Sequence, residues 1–76
     1  MAEFLLEVVR RIVEDPGAVS VEELERDCDA VLRLTVAESD RGKVIGRQGR
    51  IIRSLRTLAR AGGAREGKRY LLEIAE

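Results

Sequence analysis

Hydrophobic and polar residues follow each other along this chain in two rhythms, one typical of helices and one typical of strands. Residues 3–14 place apolar side chains at helical spacing, namely Phe4, Leu5, Val8, Val9, Ile12 and Val13. This spacing predicts an amphipathic helix whose apolar stripe, Phe4 included, covers the core. Asp15, Pro16 and Gly17 follow and predict the end of the helix.

Three further segments alternate apolar with polar side chains. Residues 19–25, 32–36 and 70–74 have this period of two, which predicts three strands. The glutamates of the first segment mark it as an exposed or edge strand. Residues 26–29 are polar and predict a hairpin turn that contains Cys28.

Two helices are predicted between the second and third strands. Ser39 and Asp40 predict an N-cap for a short helix that runs into a glycine-containing turn. The next helix places on one face Ile51, Ile52, Leu55, Leu58 and Ala59. Gly62 and Gly63 predict its end. The order helix, strand, strand, helix, helix, strand predicts a two-layer α+β domain with helices on one face of a three-stranded sheet.

Length and charge refine this picture. The chain has 76 residues, which predicts a single domain over residues 1–76. Its net charge is zero, but residues 41–69 hold ten basic residues against one acidic residue, a net charge of +9. One alternative is that arginines on a helix simply form its solvent-exposed face and have no binding role. Their concentration in one segment favours contact with an anionic partner.

Residue types that are rare or missing narrow the function. With no histidine and one cysteine, the chain has neither a base for a nucleophilic thiol nor the ligands of a zinc site. We therefore expect no catalytic residue, no metal and no cofactor, and no small-molecule substrate. A single thiol predicts a reducing compartment. Short apolar runs and an acidic N-terminus argue against a membrane span and a signal peptide, so we expect a cytoplasmic protein.

Residues 44–50, Val-Ile-Gly-Arg-Gln-Gly-Arg, contain the most informative motif. Gly46 and Gly49 allow a tight turn and the close approach of another backbone, and Arg47 and Gln48 add hydrogen-bond donors. A lone G-x-x-G motif usually marks a turn or a helix end and need not bind anything. Between two helices, however, it is the loop with which KH domains clamp the backbone of about four single-stranded nucleotides. The spacing fits neither a Rossmann fingerprint nor a P-loop.

The longer run Ser39–Arg50, Ser-Asp-Arg-Gly-Lys-Val-Ile-Gly-Arg-Gln-Gly-Arg, resembles the small bacterial single-KH proteins of the KhpA family. Ile52 and residues 54–57, Ser-Leu-Arg-Thr, extend the resemblance, which covers nearly the whole chain. It implies a type II KH domain of order αββααβ and a cytoplasmic RNA-binding protein. It further implies an RNA chaperone or post-transcriptional regulator linked to cell-wall homeostasis and cell-length control. Such proteins form homodimers or heterodimers with a larger KH protein of the KhpB (Jag) type.

We expect the RNA-binding surface to lie in and around the G-x-x-G motif. Gly46 and Gly49 would permit close approach, Arg47 would contact a phosphate and Gln48 would donate a hydrogen bond. Flanking residues would hold phosphates or line an apolar groove for bases: Lys43, Val44, Ile45, Arg50, Ile52 and Arg53. For Val44 and Ile52 a place in the core is an equal alternative.

The composition leaves two classes of function open. Phe4 and Tyr70 are the only aromatic residues, which excludes the aromatic platform on which some RNA binders stack bases. Recognition would then rest on backbone grip, shape and van der Waals contact, with weak sequence preference. The competing interpretation is a protein-interaction module, in which the motif and its helix pack against a partner or a second copy.

Overall fold

The structure, a computed structural model, describes residues 1–27 and 29–75. The predicted position of Cys28 in a hairpin turn lies outside the described residues. The helices are α1 (Ala2–Arg10), α2 (Arg41–Ile45) and α3 (Arg50–Glu66), and the strands are β1 (Ser20–Arg26), β2 (Asp29–Thr35) and β3 (Arg69–Ile74). Short 3-10 turns lie at Pro16–Ala18, Glu38–Asp40 and Arg47–Gly49. The predicted order of elements is confirmed.

The three strands form one mixed sheet in the order β1-β2-β3. β1 runs antiparallel to β2, as a short hairpin requires, and β3 runs parallel to β2 because α2 and α3 supply the crossover between them. β1 therefore lies at an edge of the sheet, as its glutamates indicated. Both long helices contribute buried residues to a core that covers one face of the sheet, which confirms the predicted two-layer fold.

The core lies between the helices and the inner face of the sheet. Its members with the least exposed surface come from both layers: Leu5, Val9, Ala30, Leu32, Leu34, Val44 and Ala59. Tyr70 and Leu72 extend it along β3. Because a chain of this size buries only about 60% of its unfolded surface, each of these positions contributes a large share of the stability.

Helix α1 is shorter and its buried stripe narrower than the sequence predicted. The helix ends at Arg10, and one further turn is closed by the N–H groups of Ile12 and Val13, which both donate to the carbonyl oxygen of Val9. Phe4 is 50% exposed, so its predicted place in the core is wrong. Each helical residue is rotated by about 100° from the last, and burial of Leu5 and Val9 turns Phe4 to the margin of the stripe.

The predicted end of α3 at Gly62 and Gly63 is also wrong. The helix continues to Glu66, and Gly67, with φ of 72°, ends it in the left-handed conformation. Gly63 serves close packing and does not end the helix. A Cβ at this buried position would lie 2.6 Å from the carbonyl oxygen of Lys68 and 2.7 Å from the Tyr70 ring. Gly63 thus lets α3 approach β3 closely. Leu58, predicted on the buried face, is 43% exposed.

Asp40 does not cap α2 as the sequence predicted. Its side chain makes no capping hydrogen bond, because Asp40 has helical backbone angles (φ −97°, ψ −6°), whereas a capping residue usually has extended ones. The carboxylate is instead buried, at 1% exposure. It accepts hydrogen bonds from the backbone N–H groups of Glu14 and Asp15, both at 3.1 Å. Asp40 therefore ties the segment after α1 to the start of α2.

Candidate nucleic-acid interface

The segment Gly46–Gly49, called the glycine loop below, reverses the chain between α2 and α3. Gly46 has φ of 78° and ψ of 172°, a conformation that is nearly restricted to glycine. A Cβ at this position would lie 2.7 Å from Cγ1 and 2.9 Å from Cβ of Ile51. Gln48 and Gly49 also have positive φ, of 57° and 73°. The glycine loop therefore depends on the missing side chain of Gly46 for its shape.

The side chain of Arg53 fixes the backbone of the glycine loop through two hydrogen bonds. Its guanidinium donates through Nε to the carbonyl oxygen of Gly49 at 3.2 Å and through Nη2 to the carbonyl oxygen of Gln48. Both bonds reach back over one turn of α3. Arg53 was predicted as a flanking residue of the RNA-binding surface and a weaker candidate than Lys43 and Arg50. In the structure its side chain is exposed and positions the loop backbone.

The other predicted residues divide into surface and core. Arg47, Gln48 and Arg50 are exposed, and Lys43 is exposed but forms an ion pair with Glu14. The apolar residues separate in the same way: Ile45 is 37% exposed, whereas Val44 is 0% and Ile52 is 7% exposed. The two alternatives for Val44 and Ile52 are thus decided in favour of the core. Ile45 is the one of the three whose side chain reaches the surface beside the glycine loop.

A flank of exposed arginines continues from the glycine loop along α3. Within residues 1–27 and 29–75, no carboxylate lies within 4.0 Å of the guanidiniums of Arg47, Arg50, Arg53, Arg56 or Arg60. The α3 members follow each other at three- or four-residue steps, which places them along one side of the helix. We call these five residues the cationic flank. Lys68 and Arg69, by contrast, pair with carboxylates of the sheet.

A groove of about 350 Å³ lies between the cationic flank and the edge strand β3. Arg56 donates from Nε to the carbonyl oxygen of Leu72 at 3.3 Å, which fixes the side of the groove next to β3. The groove is lined by Arg56, Arg60, Arg69, Tyr70, Leu71 and Leu72. None of these was among the predicted site residues. The regular spacing of the arginines was the available signal, but pairing of α3 with β3 was needed to interpret it.

Tyr70, which lines this groove, has a strongly perturbed hydroxyl. It donates to Oε2 of Glu66 at 2.9 Å. This hydrogen bond to a carboxylate, followed by burial, raises the pKa of Tyr70 to about 12. A raised pKa means that folding favours the protonated phenol. The resulting stabilisation is complete below the unfolded value near 10 and is lost as the pH rises from about 10 to about 12.

Tyr70 is the only tyrosine, so its titration can be read directly from the ultraviolet absorbance of tyrosinate. We expect a midpoint near pH 12 in the folded chain and near 10 in denaturant. In Glu66→Gln the hydrogen-bonding carboxylate is gone and the midpoint should fall towards 10. A folded-state midpoint near 10 in the wild type would contradict the hydrogen bond.

Comparison with known proteins identifies the family of this chain. A family model described as "KhpA/KhpB, KH domain" matches residues 2–74. The chain belongs to the KhpA/KhpB family of KH domains. No solved structure is significantly similar to it.

Relatives from distant bacteria match over almost their full length, and each is named "RNA-binding protein KhpA". The protein of Caldanaerobacter subterraneus is 40% identical over 74 residues, 97% of this chain and 99% of the relative. That of Listeria monocytogenes is 40% identical over 76 residues, the whole of both chains. That of Aquifex aeolicus is 45% identical over 67 residues, 88% of this chain and 85% of the relative.

Membership in the KhpA/KhpB family also addresses whether the chain is an enzyme. The KhpA relatives are named as binding proteins, and their family of KH domains is not enzymatic, which confirms the prediction that the chain is not an enzyme. In the described part of the chain, no three potential metal ligands come together. No helix among the described residues is long and apolar enough to cross a membrane.

Proposed function

We propose that this chain binds single-stranded RNA, with the glycine loop gripping the sugar-phosphate backbone. The observation that carries this proposal is the position of the glycine loop: it is locked by Gly46 and Arg53 at the start of α3, where the cationic flank begins. The names of the KhpA relatives support RNA as the anionic partner.

The start of α3 supplies fixed donors for a phosphate. Gly49 precedes the helix, and no side-chain hydrogen bond caps its first turn. The first N–H groups of a helix have no partner within it and carry the positive end of the helix dipole, so they favour an anion. Arg47 precedes this turn, Arg50 begins it, and both are exposed. A phosphate seated here would meet backbone donors and two guanidiniums together.

The bound strand would continue from the glycine loop along the cationic flank. Arg56 lies six residues after Arg50, which is about 9 Å along the helix axis, so the flank extends beyond the site of the first phosphate. Ile45 and the groove beside β3 would receive bases through apolar contact and through stacking on guanidinium planes. With no aromatic platform, affinity should be modest and sequence preference weak.

The proposal is tested by binding of a fluorescent, randomised, short single-stranded RNA at low salt. Arg47→Asp/Gln48→Asp should abolish binding, because it places two negative charges where the phosphates would lie. The fold should survive: both glycines are retained, and aspartate tolerates the positive φ of 57° at position 48. Circular dichroism would verify this.

A control variant tests whether binding depends on where the negative charge is added or only on the change in net charge. Arg65→Asp/Lys68→Gln changes the net charge by the same −3 at the far end of α3, about 22 Å from Arg50. We expect this control to retain most of the affinity. Equal binding by the wild type and the loop variant, or equal loss in both variants, would refute the glycine loop as the grip and would favour the protein-interaction module.

Salt dependence gives the same experiment a second measurement. If about three phosphates are neutralised, the slope of log K against log[salt] should be near −2, at roughly −0.7 per phosphate for a single strand. The loop variant should have a flatter slope. A wild-type slope near zero would remove the electrostatic part of the proposal.

The KhpA resemblance extends the proposal to the role of this binding in the cell. We take the chain to act in the cytoplasm as an RNA chaperone or post-transcriptional regulator, connected with cell-wall and cell-length control. Self-association, or pairing with a larger KH protein of the KhpB type, would add a second binding surface. Tethering two surfaces can raise avidity by about 10²–10⁴, which suits a domain with modest affinity.

A further inference from the structure

A cavity of about 360 Å³ lies at the carboxyl ends of β2 and β3, next to the start of α2. The backbone N–H of Ala75 donates to the carbonyl oxygen of Leu34 at 2.8 Å, which holds the two strand ends together. This volume is within the range of small-ligand sites, about 300–1,000 Å³. The residues that line the cavity are Thr35, Val36, Glu38, Arg41 and Ala75. They belong neither to the glycine loop nor to the cationic flank, so the cavity is a separate feature of the surface.

Glu38 and Arg41 bring opposite charges to this cavity. The backbone N–H of Arg41 donates to the carbonyl oxygen of Glu38 and closes the 3-10 turn between them. In such a turn, side chains three residues apart lie above one another. The two side chains nevertheless do not pair, because within residues 1–27 and 29–75 no carboxylate lies within 4.0 Å of the Arg41 guanidinium. An acceptor and a donor therefore stand side by side at the cavity.

The guanidinium of Arg41 also has an unsatisfied donor. Its Nε is shielded from solvent, and no described residue accepts a hydrogen bond from it. Buried N–H groups are nearly always paired, so an orphaned one marks a place where an acceptor from outside the chain would be favourable. A rotation of the half-buried side chain towards the cavity would present this N–H and the terminal ones to an incoming oxygen atom.

The position of the cavity relates it to the bound RNA. Arg41 is the first residue of α2, and Gly46 of the glycine loop follows its last residue. Five residues of helix span about 7.5 Å along the axis. Because a KH loop clamps about four nucleotides, the strand extends far enough to place one base in the cavity. The occupant is a base and not a phosphate, since the exposed carboxylate of Glu38 would repel an anion.

We propose that this cavity selects one base of the bound strand, cytosine or guanine, through Glu38 and Arg41. These two bases carry both an amino group and a carbonyl oxygen, whereas adenine has no carbonyl oxygen and uracil has no amino group. The amino group donates to the carboxylate of Glu38, and the carbonyl oxygen accepts from the guanidinium of Arg41. The inference rests on RNA binding at the glycine loop and adds a base preference to it. One selected position is compatible with weak sequence preference over the whole strand.

Each of the two residues rejects a different base, so their contributions can be separated. Uracil would turn a carbonyl oxygen towards the carboxylate of Glu38. In Glu38→Gln the amide can donate as well as accept, so the discrimination against uracil should be lost while adenine is still rejected. Adenine leaves Arg41 without an acceptor. In Arg41→Met a side chain of similar length has no donor, so the discrimination against adenine should be lost while uracil is still rejected.

The measurement is equilibrium binding of RNA pools about four nucleotides long. In each pool one position is fixed as adenine, cytosine, guanine or uracil, and the other positions are randomised. At one of the positions, the wild type should bind the cytosine pool, the guanine pool or both at least about fivefold more tightly than the adenine and uracil pools. Ratios between pools are compared within each variant, so a change of net charge in the protein does not affect them.

Ser39→Ala is the matched control, because Ser39 lies between Glu38 and Arg41 along the chain and is exposed but does not line the cavity. It should keep the wild-type ratios, and circular dichroism would verify the fold of all three variants. Equal binding of the four pools at every position would overturn the inference. A uniform loss of affinity in Arg41→Met with unchanged ratios would do the same, because Arg41 would then contact only a phosphate.

Failure of this inference is distinguishable from failure of the proposed function. If the glycine loop grips RNA and the cavity selects no base, the wild type binds all pools equally and Arg47→Asp/Gln48→Asp binds none. If the wild type binds no pool at all, the proposed function is refuted and the base preference with it.

Discussion

Replacing Gly46 by alanine is expected to lower the free energy of unfolding by about 3–4 kcal/mol, through backbone strain and overpacking together. The new Cβ would lie 2.7 Å from Cγ1 of Ile51 and 3.0 Å from its backbone nitrogen. Ile51 belongs to the first turn of α3, so it cannot retreat without disturbing the helix start. The positive φ of 78° with ψ of 172° adds strain that no rotamer relieves. For a domain of this size the melting temperature should fall by roughly 15 °C or more.

Gly49 and Gly42, which follow and precede Gly46 along the chain, are matched controls. A Cβ on Gly49 would have 3.9 Å to its nearest neighbours, so Gly49→Ala should cost only the left-handed strain of about 1–2 kcal/mol. Gly42 lies in α2, and nothing lies within 4 Å of its Cβ position. Gly42→Ala should be neutral or stabilise by up to about 1 kcal/mol. Thermal denaturation of the three variants gives the ranking, and equal losses for Gly46 and Gly49 would refute the steric argument.

The second large effect is expected at Asp40. Asp40→Ala removes the carboxylate that accepts the N–H groups of Glu14 and Asp15. Hydrogen bonds to a charged group contribute about 1.5–3 kcal/mol each, and partial access of water to the freed donors reduces the loss to about 3 kcal/mol in total. Asp40→Asn retains one acceptor oxygen but turns an amide donor towards the other N–H, so we expect about half of that loss or more.

Urea unfolding at neutral pH measures both Asp40 variants, with Ser39→Ala beside them. Ser39 is exposed, and no cap of α2 depends on a side chain, so Ser39→Ala should change the stability by less than about 0.5 kcal/mol. A loss of stability in Ser39→Ala as large as that in Asp40→Ala would support the side-chain N-cap that the sequence predicted. A neutral Asp40→Ala would show that the link between α1 and α2 carries no stability.

Most of the fold could be predicted from local pattern. Alternation with a period of two located all three strands, and apolar residues at helical spacing located α1 and α3. The G-x-x-G motif located the turn between α2 and α3, together with the exposed residues Arg47, Gln48 and Arg50. These features are local because they arise from the geometry of one element or one turn, which neighbouring residues determine.

The predictions that failed concern contacts between elements. Gly63 has the same local character as a helix terminator, but its role is to admit the Lys68 carbonyl group and the Tyr70 ring. Asp40 has the local character of an N-cap, but its acceptors serve amides 25 and 26 residues away. Phe4 and Leu58 fit an apolar stripe, yet the partner surface was too narrow to cover them.

The sequence by itself therefore determined the element order, the family and the glycine loop with its charged neighbours. Only the tertiary structure decided that Val44 and Ile52 are core residues and that Arg53 positions the loop. The groove beside β3 likewise required the packing of α3 against β3. The physical reason is range: periodicity and turn geometry act within a few residues, whereas burial and close approach depend on which distant segments meet.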